Sequence, residues 1–212
     1  MSIIIRNEEE RDYRLVEEIA REAFFNLYFP GCNEHLVIHN MRNHKDFIKE
    51  LSFVIEVDNK VVGSIFYTKS KIVSKNGKIY DTISFGPVSI RKDMHRMGLG
   101  RKLITHSINE AKKLGHRVIL ILGYHYHYEP YGFLGGKRYG ISMEDGKFYK
   151  GLLVLPLYEN ALNGISGIAK FSDVFEVTDE EVENFDKNFG YKEKKFQDSQ
   201  KEFELYVTML DE

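Results

Sequence analysis

Two stretches of this chain carry residue types at spacings that suit chemistry. Between Arg91 and Arg117 eight Lys or Arg side chains stand against two acids, Asp93 and Glu110. Within that basic segment Gly98 and Gly100 precede Leu103, Ile104, Ser107, Ile108, Ala111 and Leu114, an apolar helical face closed by Gly115. The start of a helix carries unpaired N–H groups and a partial positive charge, and glycine removes the side chains that would hold an anion off the backbone. The segment therefore reads as a diphosphate cradle; a plain helix start with a solvated basic face is the competing reading. It is not a P-loop, since no Gly-x-x-x-x-Gly-Lys-Ser/Thr string occurs. Nor is it a dinucleotide fingerprint, whose third glycine would fall where Leu103 stands.

The second stretch follows the apolar run Val118 to Leu122. Tyr124, His125, Tyr126, His127 and Tyr128 interleave aromatic and titratable groups, and Tyr128-Glu129-Pro130-Tyr131-Gly132-Phe133 comes directly after. Aromatic faces stabilise cationic amines, so these rings suit an acceptor pocket; a packed loop is the alternative. Phe24, Phe25, Tyr28 and Phe29 suit either that pocket or the core. No metal is expected. His35 and His39 are four residues apart without the adjacent Glu of a zinc-protease helix, and His125-x-His127 has no visible third ligand. Cys32 is the one cysteine, so it forms neither an internal disulfide nor a thiolate cage.

The elements that must position these groups follow from periodicity. Ile3-Ile4-Ile5 suits a first strand, and Leu15, Val16, Ile19, Ala20, Ala23 and Phe24 trace one apolar stripe on a helix from Asp12, stopped by Pro30-Gly31. One or two short helices are expected between His35 and Leu51. Phe53 to Val57 and Val61 to Tyr67 then form a hairpin about Asp58-Asn59-Lys60, and its second strand continues towards Val73. Lys75-Asn76-Gly77-Lys78 suits a connection with positive φ at both central residues before the strand Ile79 to Ile90. Gly86-Pro87 disturbs that strand, because proline lacks the N–H that a ladder needs. Val118 to Leu122 is a strand buried on both faces. Lys137 to Ser142 and Phe148 to Leu157 flank Glu144-Asp145-Gly146 as a further hairpin. Thr178 to Glu181 reads as a capping box before a helix ending near Gly190, and Phe203 to Met209 as a terminal strand.

Composition bounds the function class. The 212 residues are 42% hydrophobic and 29% charged, enough for one domain with a small appendage. Thirty Lys and Arg against 32 Asp and Glu give a net charge of −2, which supplies no general field for gripping nucleic acid. Neither a secretion signal nor an apolar run of about 20 residues is present, so a cytoplasmic protein without a membrane partner is expected.

The two motifs together resemble those of the GNAT superfamily of acetyl-CoA-dependent N-acetyltransferases, in its bacterial branch of predicted acetyltransferases. Residues 95 to 100 match Gln/Arg-x-x-Gly-x-Gly/Ala, with His95 where the family usually has Gln or Arg; Tyr128 to Phe133 match Tyr-x-x-x-Gly-Phe. The resemblance implies an α+β (α/β) fold: a mixed, mostly antiparallel sheet with helices on both faces and a splayed central strand pair. It spans residues 1–157, with a C-terminal extension over 158–212 packed on that domain. Acetyl-CoA is then the cosubstrate, held by Val88, Ser89, Ile90, His95, Arg96, Met97, Gly98, Leu99, Gly100, Arg101, Lys102 and Tyr131. A primary amine of a small molecule or protein attacks directly. Tyr128 is the implied proton donor or sulfur-binding hydroxyl, with Glu129 beside it as a catalytic carboxylate. Glu56, Glu129, His125 and His127 are the groups open for the base. An acyl-CoA-binding module with little catalysis is the alternative, and a homodimer is left open.

Overall fold

In a computed structural model, which describes residues 1–211, the chain is a mixed sheet with six α-helices. Strands β1 (Ile3–Asn7), β2 (Phe53–Val57), β3 (Lys60–Val73), β4 (Ile79–Ile90), β5 (Val118–Leu122), β6 (Leu134–Gly135), β7 (Ile141–Ser142), β8 (Leu152–Pro156) and β9 (Gly167–Lys170) alternate with helices. The helices are α1 (Tyr13–Phe24), α2 (Glu34–Met41), α3 (Leu99–Lys113), α4 (His125–Tyr128), α5 (Asp179–Asp186) and α6 (Asp198–Thr208). The hydrogen-bonded path is β1-β2-β3-β4-β5-β8-β6, with β9 between β3 and β7. Only β4–β5 and β7–β9 are parallel among the registered pairs. No helix of the described residues is long and apolar enough to cross a membrane.

The residues cluster into two compact units. The first comprises Met1–Tyr67, Gly86–Ile108 and Asp173–Lys201; the second comprises Thr68–Phe85, Asn109–Ser172 and the stretch from Glu202 onward. In the first, the apolar stripe of α1 (Val16, Ile19, Ala20) packs with Val37, Ile38 and Met41 of α2 and with Val54, Val61 and Phe66 of the sheet. In the second, Val118 and Leu120 of β5 pack with Ile72, Leu152, Val154 and Ala169. Strands β3 and β4 each run from one unit into the other.

Several expected elements hold. Asp58 and Asn59 both have positive φ and close the β2–β3 hairpin with Val57 opposite Lys60, the geometry that matches strand twist. The Thr178 side chain accepts the Glu181 N–H while the Glu181 carboxylate accepts the Thr178 N–H at 2.8 Å, so the capping box starts α5.

Others do not. Helix α1 ends at Phe24, before Pro30-Gly31. In the next connection only Gly77 has positive φ, and a Ser74 carbonyl to Gly77 N–H turn closes it. The hairpin about Glu144-Asp145-Gly146 is absent: Lys137 lies in a short 3-10 turn, β7 pairs in parallel with β9, and β8 pairs with β5 and β6. Phe203 to Met209 is helix α6 through Thr208, because Phe203 and Tyr206 turn inward at helical spacing while Leu205 and Val207 face solvent.

A buried polar cluster ties α5 to α1 and α2 within the first unit. Arg21 donates to both oxygens of Asp186 (2.6 and 2.9 Å), and His35 Nε2 lies 3.1 Å from Asp186 Oδ1. Burial lowers the His35 pKa to about 4 and raises the Cys32 thiol well above its usual range. A histidine whose folded pKa lies below its unfolded value of about 6.5 stabilises fully above that value and loses the contribution as pH falls to about 4. The loss amounts to about 3 kcal/mol. His35→Gln should therefore flatten the fall in melting temperature between pH 6.5 and 4, measured by thermal denaturation against the parent.

Candidate functional site

The first part of the site is the start of α3. Leu99 and Leu103 are buried and anchor the helix, which leaves the outer side of its first turn bare. Gly98 has φ +75°, and a Cβ there would meet nothing within 4 Å; a Cβ on Gly100 would touch only Ile90 Cγ1, at 3.7 Å. The first carbonyl used inside the helix is that of Gly98, bound by Lys102 N–H at 3.1 Å, so the preceding N–H groups have no acceptor four residues back. Arg96, Met97, Arg101 and Lys102 are exposed. Among the described residues, Arg96, Arg101 and Lys102 join no ion pair, so their charge is uncompensated around the open turn, whereas Arg91 is held by Asp93 at 2.6 and 3.0 Å. The residues present fit a diphosphate.

The last residues of β4 lead into this turn. Arg91 N–H donates to the Val62 carbonyl at 2.7 Å, on the β3 side. Backbone groups alternate along a strand, so those of Val88 and Ile90 point to the opposite edge. The β4–β5 ladder holds two pairs, Ile83 with Ile119 and Ser84 with Leu120. Ser89 turns its side chain inward, its hydroxyl 3.2 Å from that of Ser64. His95, where the family favours Gln or Arg, donates from Nε2 to the Ile90 carbonyl at 2.8 Å. Gly63 makes the close approach of β3 to β4 feasible: a Cβ there would lie 2.5 Å from the Ser89 carbonyl oxygen and 2.4 Å from Ile90 Cδ1.

In the second unit, α4 and a 3-10 turn (Glu129–Tyr131) follow β5, and Gly132 closes that turn at φ +92°, a conformation suited to glycine. Phe133 is thereby buried, its ring 5.9 Å from Phe85 and 5.8 Å from Tyr128. The Tyr128 ring also lies 5.7 Å from Phe85. Burial, then the neighbouring Tyr131, raises the Tyr128 hydroxyl to about 12, so it holds its proton at neutral pH. Glu129 is exposed and Tyr131 half-buried. Burial lowers the His127 pKa, leaving its ring neutral at pH 7. Of the remaining groups open for the base, Glu56 is bound to Arg6 (2.5 and 2.9 Å) and His125 is engaged by Tyr206.

Glu34 is a group that sequence reasoning did not single out; burial raises its carboxyl to about 7. No motif marked it, because the effect comes from packing. His44, Asp46 and Asp173 form a small cluster in which Asp173 also pairs with Lys45 at 3.4 Å.

Residues 14–130, more than half of the chain, match the family model described as the acetyltransferase (GNAT) family. The chain belongs to the GNAT acetyltransferase family. This acetyltransferase is 21% identical over 155 residues to the uncharacterized N-acetyltransferase YhbS of Escherichia coli O157:H7, covering 73% of the chain and 90% of that protein. The crystal structure of YhbS from Escherichia coli in complex with CoA is similar in fold, with a TM-score of 0.71 and 19% identity over 82% of this chain and 91% of that one. A GNAT acetyltransferase from Brucella melitensis in complex with acetyl-CoA has a TM-score of 0.67 and 21% identity over 82% of this chain and 99% of that one. Acetyl transfer is therefore the activity class of this chain.

Two substitutions separate the cradle from the fold. Gly100→Asp places a carboxylate in the first turn of α3, its Cβ in ordinary contact with Ile90, where it favours the helix but repels an anion. Calorimetry should show CoA affinity falling at least tenfold while the melting temperature holds or rises. Gly63→Ala should lower the melting temperature by several degrees, since the Ser89 backbone must shift to admit the methyl group.

Proposed function

We propose that this chain is a cytoplasmic N-acetyltransferase that moves the acetyl group of acetyl-CoA to a primary amine of a small molecule or protein by direct attack. The observation that carries the reading is the start of α3, a bare glycine turn among three uncompensated cations. Relatives of the same fold crystallised with CoA and acetyl-CoA support it. In this reading residues 1–157 carry the reaction and 158–212 form an extension.

The backbone N–H groups from Gly98 to Arg101 hold the diphosphate, with Arg96, Arg101 and Lys102 supplying charge and His95 and Met97 shaping the turn. Leu99 contributes its backbone only, since its side chain is buried. Val88 and Ile90 offer N–H and C=O groups to the amide-bearing arm as a neighbouring strand would, and Ser89 braces that edge from behind through Ser64. His95 holds the Ile90 carbonyl and exchanges that bond for one to the arm.

Acetyl transfer forms an N–C bond and breaks the C–S bond. The nitrogen lone pair attacks the thioester carbon, a strand N–H stabilises the charge growing on oxygen, and the thiolate leaves with a proton. Tyr128, a phenol still protonated at pH 7, supplies that proton, with Tyr131 packed near it. The proton lost by nitrogen passes to Glu129 or to water it orients. A base is needed because an aliphatic amine is mostly protonated at pH 7.

Release of CoA thiol from acetyl-CoA, measured with a panel of lysine, spermidine, tyramine and an unblocked peptide, tests the reading. At least one amine should give turnover, and Tyr128→Phe should lower kcat by about 10²-fold with CoA affinity retained. Because the phenol pKa is raised, the alkaline limb of kcat should show no loss from Tyr128 below about pH 11. CoA binding without turnover on any amine would favour the binding-module alternative.

A further inference from the structure

Helix α6 lies beyond the residues matched by the family model, yet in the second unit it reaches the turn that carries Tyr128. The ladder between β5 and β8 runs to Leu122 opposite Leu152 and is extended by Gly123 N–H to the Gly151 carbonyl at 2.9 Å. Each of these two glycines lies under a tyrosine. A Cβ on Gly123 would stand 2.7 Å from Tyr128 Cε2, and one on Gly151 would stand 3.5 Å from Tyr206 Cε1. The pair of bare backbones therefore seats both rings against one strand end.

The Tyr206 hydroxyl completes the arrangement. It accepts the N–H of His125, the first residue of α4, at 2.8 Å, and lies 3.2 Å from His125 Nδ1 and 3.3 Å from the Lys150 carbonyl. Its ring is almost wholly buried, 4.5 Å from Tyr124. The chain after α6 continues the attachment: Lys150 N–H donates to the Met209 carbonyl at 2.9 Å and Asp211 N–H to the Phe148 carbonyl at 2.8 Å.

Helix α4 has four residues, too few to hold a turn by its own hydrogen bonds. Its first N–H has no intrahelical acceptor and is pinned from outside by one phenol. The Tyr128 ring packs on Gly123, Phe85 and Phe133, and Tyr128 is the last residue of α4, so the placement of α4 sets where its hydroxyl points. We propose that Tyr206 is a positioning residue for acetyl transfer: through His125 N–H it sets the direction of the Tyr128 hydroxyl. The proposal rests on the reading of Tyr128 as proton donor.

Tyr206→Phe keeps the ring and removes only the hydroxyl. With the fastest amine of the panel above, kcat should fall about fivefold to tenfold, with KM for acetyl-CoA unchanged and the melting temperature within a few degrees. In a Tyr128→Phe background the same substitution should leave kcat unaltered. Equal losses in both backgrounds, or a lower melting temperature with kcat intact, would overturn the positioning role. A Tyr128→Phe enzyme with full turnover would instead strike the donor assignment, and the coupling with it; the expected hundredfold loss in Tyr128→Phe, deepened a further fivefold to tenfold by Tyr206→Phe, strikes the coupling alone.

Discussion

Backbone hydrogen bonding around β4 is the constraint on which the rest depends. A strand inside a sheet must satisfy its N–H and C=O groups on both edges, and the β4–β5 ladder supplies only two residue pairs before Phe85 and the Gly86-Pro87 step. From Val88 onward one edge is answered by β3, held close by Gly63, while the other offers polar backbone in an extended conformation. Ligand amides in extended form are suited to such an edge. His95 takes up the Ile90 carbonyl at 2.8 Å.

Most of what positions the site was legible because it rests on local rules. The limits of β2, β4 and β5 follow from β-branched runs bounded by turns, and the α5 cap follows from Thr178 and Glu181 alone. The glycine turn at the start of α3 was visible from its composition, and Gly132-Phe133 from its spacing after Tyr128. These signals need no knowledge of what packs where.

The errors fall where one pattern served two periods or where partners lie far along the chain. Phe203, Leu205, Val207 and Met209 alternate like a strand, while Phe203 and Tyr206 sit three apart like a helix, and as a helix Tyr206 meets a carbonyl and an N–H. Ile141 and Ser142 pair with Gly167 and Ile168, a register no turn signal could announce. Gly167 is required because a Cβ would lie 2.2 Å from the Val73 carbonyl oxygen, which only the folded chain reveals. The raised Glu34 carboxyl and the lowered His35 imidazole likewise come from burial and have no local signature.

The C-terminal residues of the first unit show a different economy of attachment. Tyr191 and Phe196 remain exposed, so the stretch 191–197 is not fastened by its aromatic side chains. Polar groups fasten it instead. Asn26 donates to the Glu193 carbonyl and accepts from Gly31 and Lys195 N–H groups, while Gln200 donates to the carbonyls of Asn26 and Lys195. Arg21 meets Asp186 in a two-point pair whose desolvation cost offsets much of its attraction. Such bonds contribute more to geometry than to net stability, since each is directional and a displaced partner leaves a buried donor unanswered. The connection between α1 and α2, which carries Asn26 and Gly31, is thereby held to one conformation by residues more than 150 positions away in sequence.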